Sequence, residues 1–341
     1  MTKKQIKLTT KIFLLIGTVV SLFFVPWPLV KAWIKPLPNT VQEQVDEAVS
    51  SGFDGVVAYV DRAGKSPEYF TSGWHNKELQ IKAKPQALFK IASISKLYDA
   101  VALVKLVNDG TLSLDKTIAD YLPELKGRIA YAEKISLRLL VQHRSGIPNY
   151  TAVGDYWAEP KSTYKENLAL ILDKPANFKP DKDYEYCNTN FLLINKIMDE
   201  VLGYSNFQFI EENILKPLNL NHTYASVRDV DKNELMSGYH EGYPLDLKND
   251  DVGMVASAAD VGVFLRAINE GAIFGPNEKS IYDSLYRYEH DGWVPGYQSF
   301  AKYNKELNAV IVAFYSTTDP DLYKWNLAQI INNRIVDILK E

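Results

Sequence analysis

Four places in this 341-residue chain set a serine and a lysine three apart: Ser93/Lys96, Ser113/Lys116, Ser162/Lys165 and Ser299/Lys302. In a helix such a pair shares one face, one turn apart. It can then work as an alcohol nucleophile beside an amine activator. Context separates the four. Ser113 follows a helix stop, Ser162 sits beyond a proline among polar residues, and Ser299 lies mid-strand, where the two side chains point to opposite faces. Only Ser93 opens an apolar helix, expected over 93–108 and stopped by Asn108-Asp109-Gly110. The first turn of a helix offers free N–H groups and the positive end of its dipole to developing negative charge. Lys96, buried at that end, is pushed toward its neutral form by desolvation and can serve as a base. A capping serine beside a structural lysine fits the bare spacing equally well.

The elements that must position this pair follow from periodicity. Thr40 and Glu43 form a capping box for a helix to about Ser50. Gly55 to Asp61 reads as a buried strand, with Pro67 to Gly73 as its hairpin partner. The middle of the chain is helix-rich: 93–108, 166–173, 189–203, 206–214 and 258–270. Strands return at Trp293 to Tyr303 and Leu307 to Ser316. A last helix, Leu322 to Leu339, carries Trp325, Leu327, Ile331 and Ile335 at helical spacing. The expected fold is α/β (α+β): an antiparallel sheet built from both chain ends, flanked by helices, with a mostly helical region between. The sheet part would cover about 41–90 and 275–341, and the helical part 91–274.

Net charge is −4 and the isoelectric point about 5.8, so no basic excess calls for nucleic acid. The lone Cys187 cannot form an internal disulfide or a cysteine-rich zinc site, and the five histidines show no metal-ligand spacing. No metal and no cofactor is expected. The N-terminus departs from this plain pattern. Lys3, Lys4, Lys7 and Lys11 precede an uncharged run from Ile12 to Val30, broken by Pro26 and Pro28. This reads as an export signal or a membrane anchor over 1–34, with 35–40 as linker and the remainder outside the cytoplasm. An uncleaved anchor is favoured over cleavage at Val30-Lys31-Ala32. The membrane is the one partner this implies besides a small-molecule or peptide substrate; nothing in the sequence bears on oligomeric state.

Further stretches resemble the serine β-lactamase and DD-peptidase superfamily, in the branch of class C β-lactamases, DD-carboxypeptidases and family VIII esterases. Phe89 to Lys96 is similar to its nucleophile segment. Leu114 to Pro123 resembles the loop that follows, Leu139 to Pro148 the Leu-Leu-x-His-x-Ser-Gly-Leu-Pro segment, and Tyr186-Cys-Asn188 the Tyr-x-Asn box. His290-Asp-Gly292 with Trp-Val-Pro-Gly-Tyr resembles the Lys/His-x-Gly strand. The boxes run in family order over about residues 50–340. Tyr204-Ser-Asn206 and His240-Glu-Gly242 repeat two of them in the wrong context. The resemblance implies acyl transfer: Ser93 as nucleophile, Lys96 and Tyr186 as proton shuttles, and Asn188 binding substrate amide or Lys96. The N–H groups of Ser93 and Trp293 would form the oxyanion hole. His143 reads as a loop brace and Cys187 as a space-filler.

The third box departs from the β-lactamase pattern. His290 and Asp291 stand where lysine and threonine are usual, so a fixed positive charge is missing. A cleft-facing Asp291 would repel a substrate carboxylate. Weak or absent β-lactamase activity follows, with a neutral or amine-bearing ester or amide as substrate. No Ser-Asp-Asn box is present. The alternatives are a true class C-like β-lactamase, or a penicillin-binding or sensor module that is acylated slowly or not at all.

Overall fold

The computed structural model describes residues 3–243, 246–249 and 253–341. Its centre is a six-stranded antiparallel sheet drawn from both ends of the chain. The N-terminal side gives β1 (Gly55–Arg62), β2 (Glu68–Asn76) and β3 (Ile81–Lys82). The C-terminal side gives β4 (His290–Val294), β5 (Tyr297–Asn304) and β6 (Ala309–Tyr315), in the order β3-β2-β1-β6-β5-β4. Register pairs Ala58 with Ala313 and Trp293 with Gln298. The two central strands read as unbroken apolar runs because both faces are covered. Val57, Tyr59, Val310, Val312 and Phe314 face one core. Their alternates Val56, Ala58, Ile311, Ala313 and Tyr315 face the other.

The second core is closed by α3 (Val41–Ser50) and a long C-terminal helix over residues 323–340. Thr40 and Glu43 form the reciprocal cap that starts α3. Before it, the N-terminal apolar run is split. α1 (Lys3–Leu22) ends short of Pro26, and α2 (Trp27–Ile34) starts a separate short helix, since proline cannot donate into a continuing one. α1 is exposed and long and apolar enough to cross a membrane over Gln5–Leu22. α2 instead rests Leu29 and Ala32 against the second core.

The first core holds α4 (Ser95–Asn108), α5 (Asn188–Leu202) and α6 (Ala258–Glu270). α4 is buried without a break from Lys96 to Val104, so it is a core helix with no solvent face over that span. It ends where Gly110 turns to φ +83°. The C-terminal helix, α7 (Tyr323–Lys340), completes the set.

Two expectations need correction. The strand expected over Trp293 to Tyr303 is two strands, β4 and β5, folded back at Pro295-Gly296; Gly296 has φ +85°, a conformation that suits glycine. The helix expected from Ser93 starts at Ser95. Ser93 lies in a tight 3-10 turn, Ala92–Ile94, just before it.

Candidate active site

The turn that bears Ser93 is strained. Ala92 has φ +48°, a left-handed conformation that costs a side-chain-bearing residue about 1–3 kcal/mol. Three contacts hold it. The Ile91 N–H donates to the Met254 carbonyl. Ser299 Oγ, on β5, donates to the Ile91 carbonyl at 2.8 Å. β4 lies against the turn at Gly292, where a Cβ would sit 2.4 Å from both Ile91 O and Ser299 Oγ. Gly292 is therefore a packing requirement, and the Ser299 of a rejected Ser-x-x-Lys pair is a brace.

Two distant segments meet at Ser93. Lys96 Nζ donates to Ser93 Oγ at 3.1 Å and to Asn188 Oδ1 at 2.9 Å. The Tyr186 hydroxyl lies 2.9 Å from Ser93 Oγ, and this hydroxyl pair can run in either direction. Lys96 Nζ also stands 5.3 Å from the centre of the Tyr186 ring and 5.6 Å from that of Phe191. Asn188 is itself fixed, donating through Nδ2 to Thr151 Oγ1 at 2.9 Å.

The loop after His143 exists to place these groups. The Cys187 N–H donates to His143 Nδ1 at 3.2 Å, and the His143 ring lies 4.6 Å from that of Tyr186. Ser145 and Thr189 add bonds to Asn190 and to the Pro148 carbonyl. Gly146, at φ +74°, passes the Phe178 carbonyl where any Cβ would come within 2.1 Å. Burial, then the nearby Lys96 charge, pushes His143 down to about 3, so its imidazole is neutral at pH 7. Cys187 is buried, with Sγ against the Ile147 carbonyl.

The third box divides between the faces of its strand. His290 is buried. Its Nδ1 meets the Asp291 carbonyl at 2.6 Å and its Nε2 the Tyr286 hydroxyl at 3.2 Å. A carbonyl can only accept, so the proton sits on Nδ1 and Nε2 accepts from Tyr286. Burial and Lys96 push this histidine down to about 3 as well. It brings no positive charge to the site. Asp291 points the other way. Its carboxylate pairs with Lys302 at 3.0 Å and lines a cavity of about 450 Å³ between the sheet and α7. The expected contact of Asp291 with substrate, and the repulsion it would exert, are corrected: its carboxylate is taken up by Lys302 and lines that other cavity, not the cleft at Ser93.

What remains is a cleft of about 230 Å³ lined by Ser93, Lys96, Asn188, Thr151, Trp157 and Trp293, among others. Trp157 meets Trp293 edge to face at 5.7 Å. Sequence reasoning overlooked Asp99 and Asn195, which line the same cleft. The signal for Asp99 was present: an acid three residues after Lys96 in an otherwise apolar helix. Thr151 and Trp157 carry no such mark.

The family model described as Beta-lactamase matches residues 37–285. Protein flp of Staphylococcus aureus (strain MW2) is 26% identical over 193 residues, 55% of this chain and 39% of its own length. The N-acetylmuramyl-L-alanine amidase of Bacillus subtilis (strain 168) is 27% identical over 201 residues, 54% of this chain and 45% of its own. The chain thus spans less than half the length of these two curated relatives. Among solved structures, the D-amino acid amidase from Ochrobactrum anthropi SV3 complexed with D-phenylalanine superposes with a TM-score of 0.78 at 21% identity, covering 89% of this chain and 98% of that one. The penicillin binding protein from Bacillus halodurans gives 0.73 at 18%, covering 86% and 99%. These likenesses show the β-lactamase/transpeptidase fold.

Proposed function

The chain belongs to the beta-lactamase family, and from that premise we propose that it is a serine hydrolase cutting an amide or ester of a small substrate through a Ser93 acyl-enzyme. One observation carries the reading: Ser93 Oγ lies within hydrogen-bond distance of both Lys96 and Tyr186 at the edge of a cleft. Ser93 attacks the carbonyl, and its proton passes into the Lys96–Tyr186 relay. The N–H groups of Ser93 and Trp293 hold the tetrahedral oxyanion, a role in which one lost donor costs about two to three decades of rate. The relay returns the proton to the leaving group, and water then frees the acyl group by the reverse path.

Amides are favoured because two of the similar proteins are amidases by name. Poor β-lactam turnover is expected because His290 is neutral where a lysine would meet a substrate carboxylate. The N-terminal 1–34 segment would export and anchor a hydrolase body over 41–341 outside the cytoplasmic membrane, with α1 as the span. Incubation with a fluorophosphonate probe, p-nitrophenyl esters, D-amino-acid amides and nitrocefin tests this. Probe labelling and ester or amide turnover, both lost in Ser93→Ala, are expected, with nitrocefin slow. Labelling that survives Ser93→Ala overturns the assignment.

A further inference from the structure

Asp99 is a buried acid that the relay does not use. It lies one turn beyond Lys96 on α4 and is 4% exposed. It is the sole carboxylate among the described residues lining the cleft. Lys96 directs its Nζ to Ser93 and Asn188 and acts on Asp99 only through its field, and no cation among the described residues forms an ion pair with Asp99. Across the cleft on α5, Asn195 turns its amide toward Asp99, and its Oδ1 is a buried acceptor with no partner. A lone carboxylate beside an orphaned acceptor is the complement of a ligand with several N–H donors.

We propose that Asp99 and Asn195 form a specificity subsite for a substrate ammonium. This rests on Ser93 being the acylated residue, and it names the substrate class of that site. Helix geometry sets where the ammonium belongs. Ser93 lies in the 3-10 turn and Asp99 in α4, so six residues at about 1.5–2.0 Å rise place their Cα atoms about 10–11 Å apart, and the Asp99 side chain leans back toward the helix start. Allowing about 3 Å for the attacking contact and about 2.8 Å for a charge-assisted hydrogen bond leaves about 4–6 Å between acyl carbon and nitrogen. That is about three to five bonds, the span of a β-, γ- or δ-amino acyl group and longer than an α-amino acid offers. The acyl portion is the part held through both half-reactions. Burial raises the Asp99 pKa to about 7 when the cleft is empty, and an arriving ammonium would favour its ionised form.

The test compares p-nitroanilides of γ-aminobutyrate and δ-aminovalerate with their des-amino and N-acetyl analogues and with the glycyl compound. In the wild-type protein kcat/KM for the γ- or δ-amino compounds should exceed the des-amino values by at least about tenfold, with N-acetylation removing the advantage. In Asp99→Asn the ratio of amino to des-amino substrate should fall by about tenfold or more, mostly through KM. Fluorophosphonate labelling of the variant reports that the site is intact. A wild-type ratio near one, or a ratio unchanged in Asp99→Asn, overturns the subsite. Failure of the wild-type protein to label at Ser93 would instead strike the hydrolase reading itself.

Discussion

Replacing Gly292 by alanine puts a methyl carbon 2.4 Å from the Ile91 carbonyl oxygen, 2.4 Å from Ser299 Oγ and 3.0 Å from Ala92 Cβ. Ordinary contact begins near 3.4 Å, so strand and turn must separate by about 1 Å. Two of these atoms form the bond that steadies the turn, and the third belongs to the strained residue before the nucleophile. Overpacking of this kind costs about 1–3 kcal/mol. In a body this large that lowers Tm by a few degrees. The catalytic cost should be larger: a misplacement of about 1 Å at a reacting group can cost about a hundredfold in rate. Gly292→Ala should therefore lose about two decades of kcat in ester hydrolysis while thermal unfolding moves only slightly. Ser299→Ala deletes one clashing atom but also the brace. The double variant should then lose less than the sum of the single losses, because both changes act on one contact. A Gly292→Ala protein with full kcat would refute the claim that close strand-to-turn packing sets the nucleophile.

Tyr186→Phe keeps the ring against His143 but removes the hydroxyl, so kcat should fall by about two to four decades with Tm nearly unchanged. His143 and His290 are both held neutral in the fold, with pKa values near 3, against about 6.5 when unfolded. The unfolded chain binds more protons between those values, so their contribution is complete above pH about 6.5 and is lost as pH falls toward about 3. Melting curves across that window should show the loss, and His290→Asn should flatten it. Asp99 has the opposite sign: burial raises it to about 7, so Asp99→Asn should gain more Tm at pH 8 than at pH 4. Deleting residues 1–22 should free the protein from membranes without loss of fluorophosphonate labelling, which fractionation and gel fluorescence would read.

Much of this was legible in the chain because local signals were strong. The Thr40–Glu43 cap, the apolar runs of β1 and β6 and the Gly110 stop each declare an element within a few residues. The Ser93–Lys96 pair is also local, one helical turn. Tyr186 and Asn188 are not: only the packing of the loop after His143 brings them to Ser93, and resemblance stood in for that geometry. Two errors share a cause. Asp291 was placed on the cleft and residues 293–303 on one strand because the alternation of faces and the Pro295-Gly296 reversal depend on where β4 pairs, which no single residue announces. Asp99 escaped notice because an acid in an apolar helix has no partner in sequence; its neighbours come from a helix about ninety residues on.

With α1 in a bilayer, the split at Pro26 would fix how far the body can travel. Four residues, Phe23 to Pro26, separate α1 from α2. Beyond them the chain is held fast, with Arg334 bonded to the carbonyls of Lys35 and Pro36. Such a leash reaches at most about 14 Å, while a folded body of about 300 residues is about 50 Å across. With α1 in a bilayer, the body could tilt and drift sideways but could not rise clear of the surface. Its search for substrate would then be two-dimensional, confined to molecules delivered to within one protein diameter of the lipid.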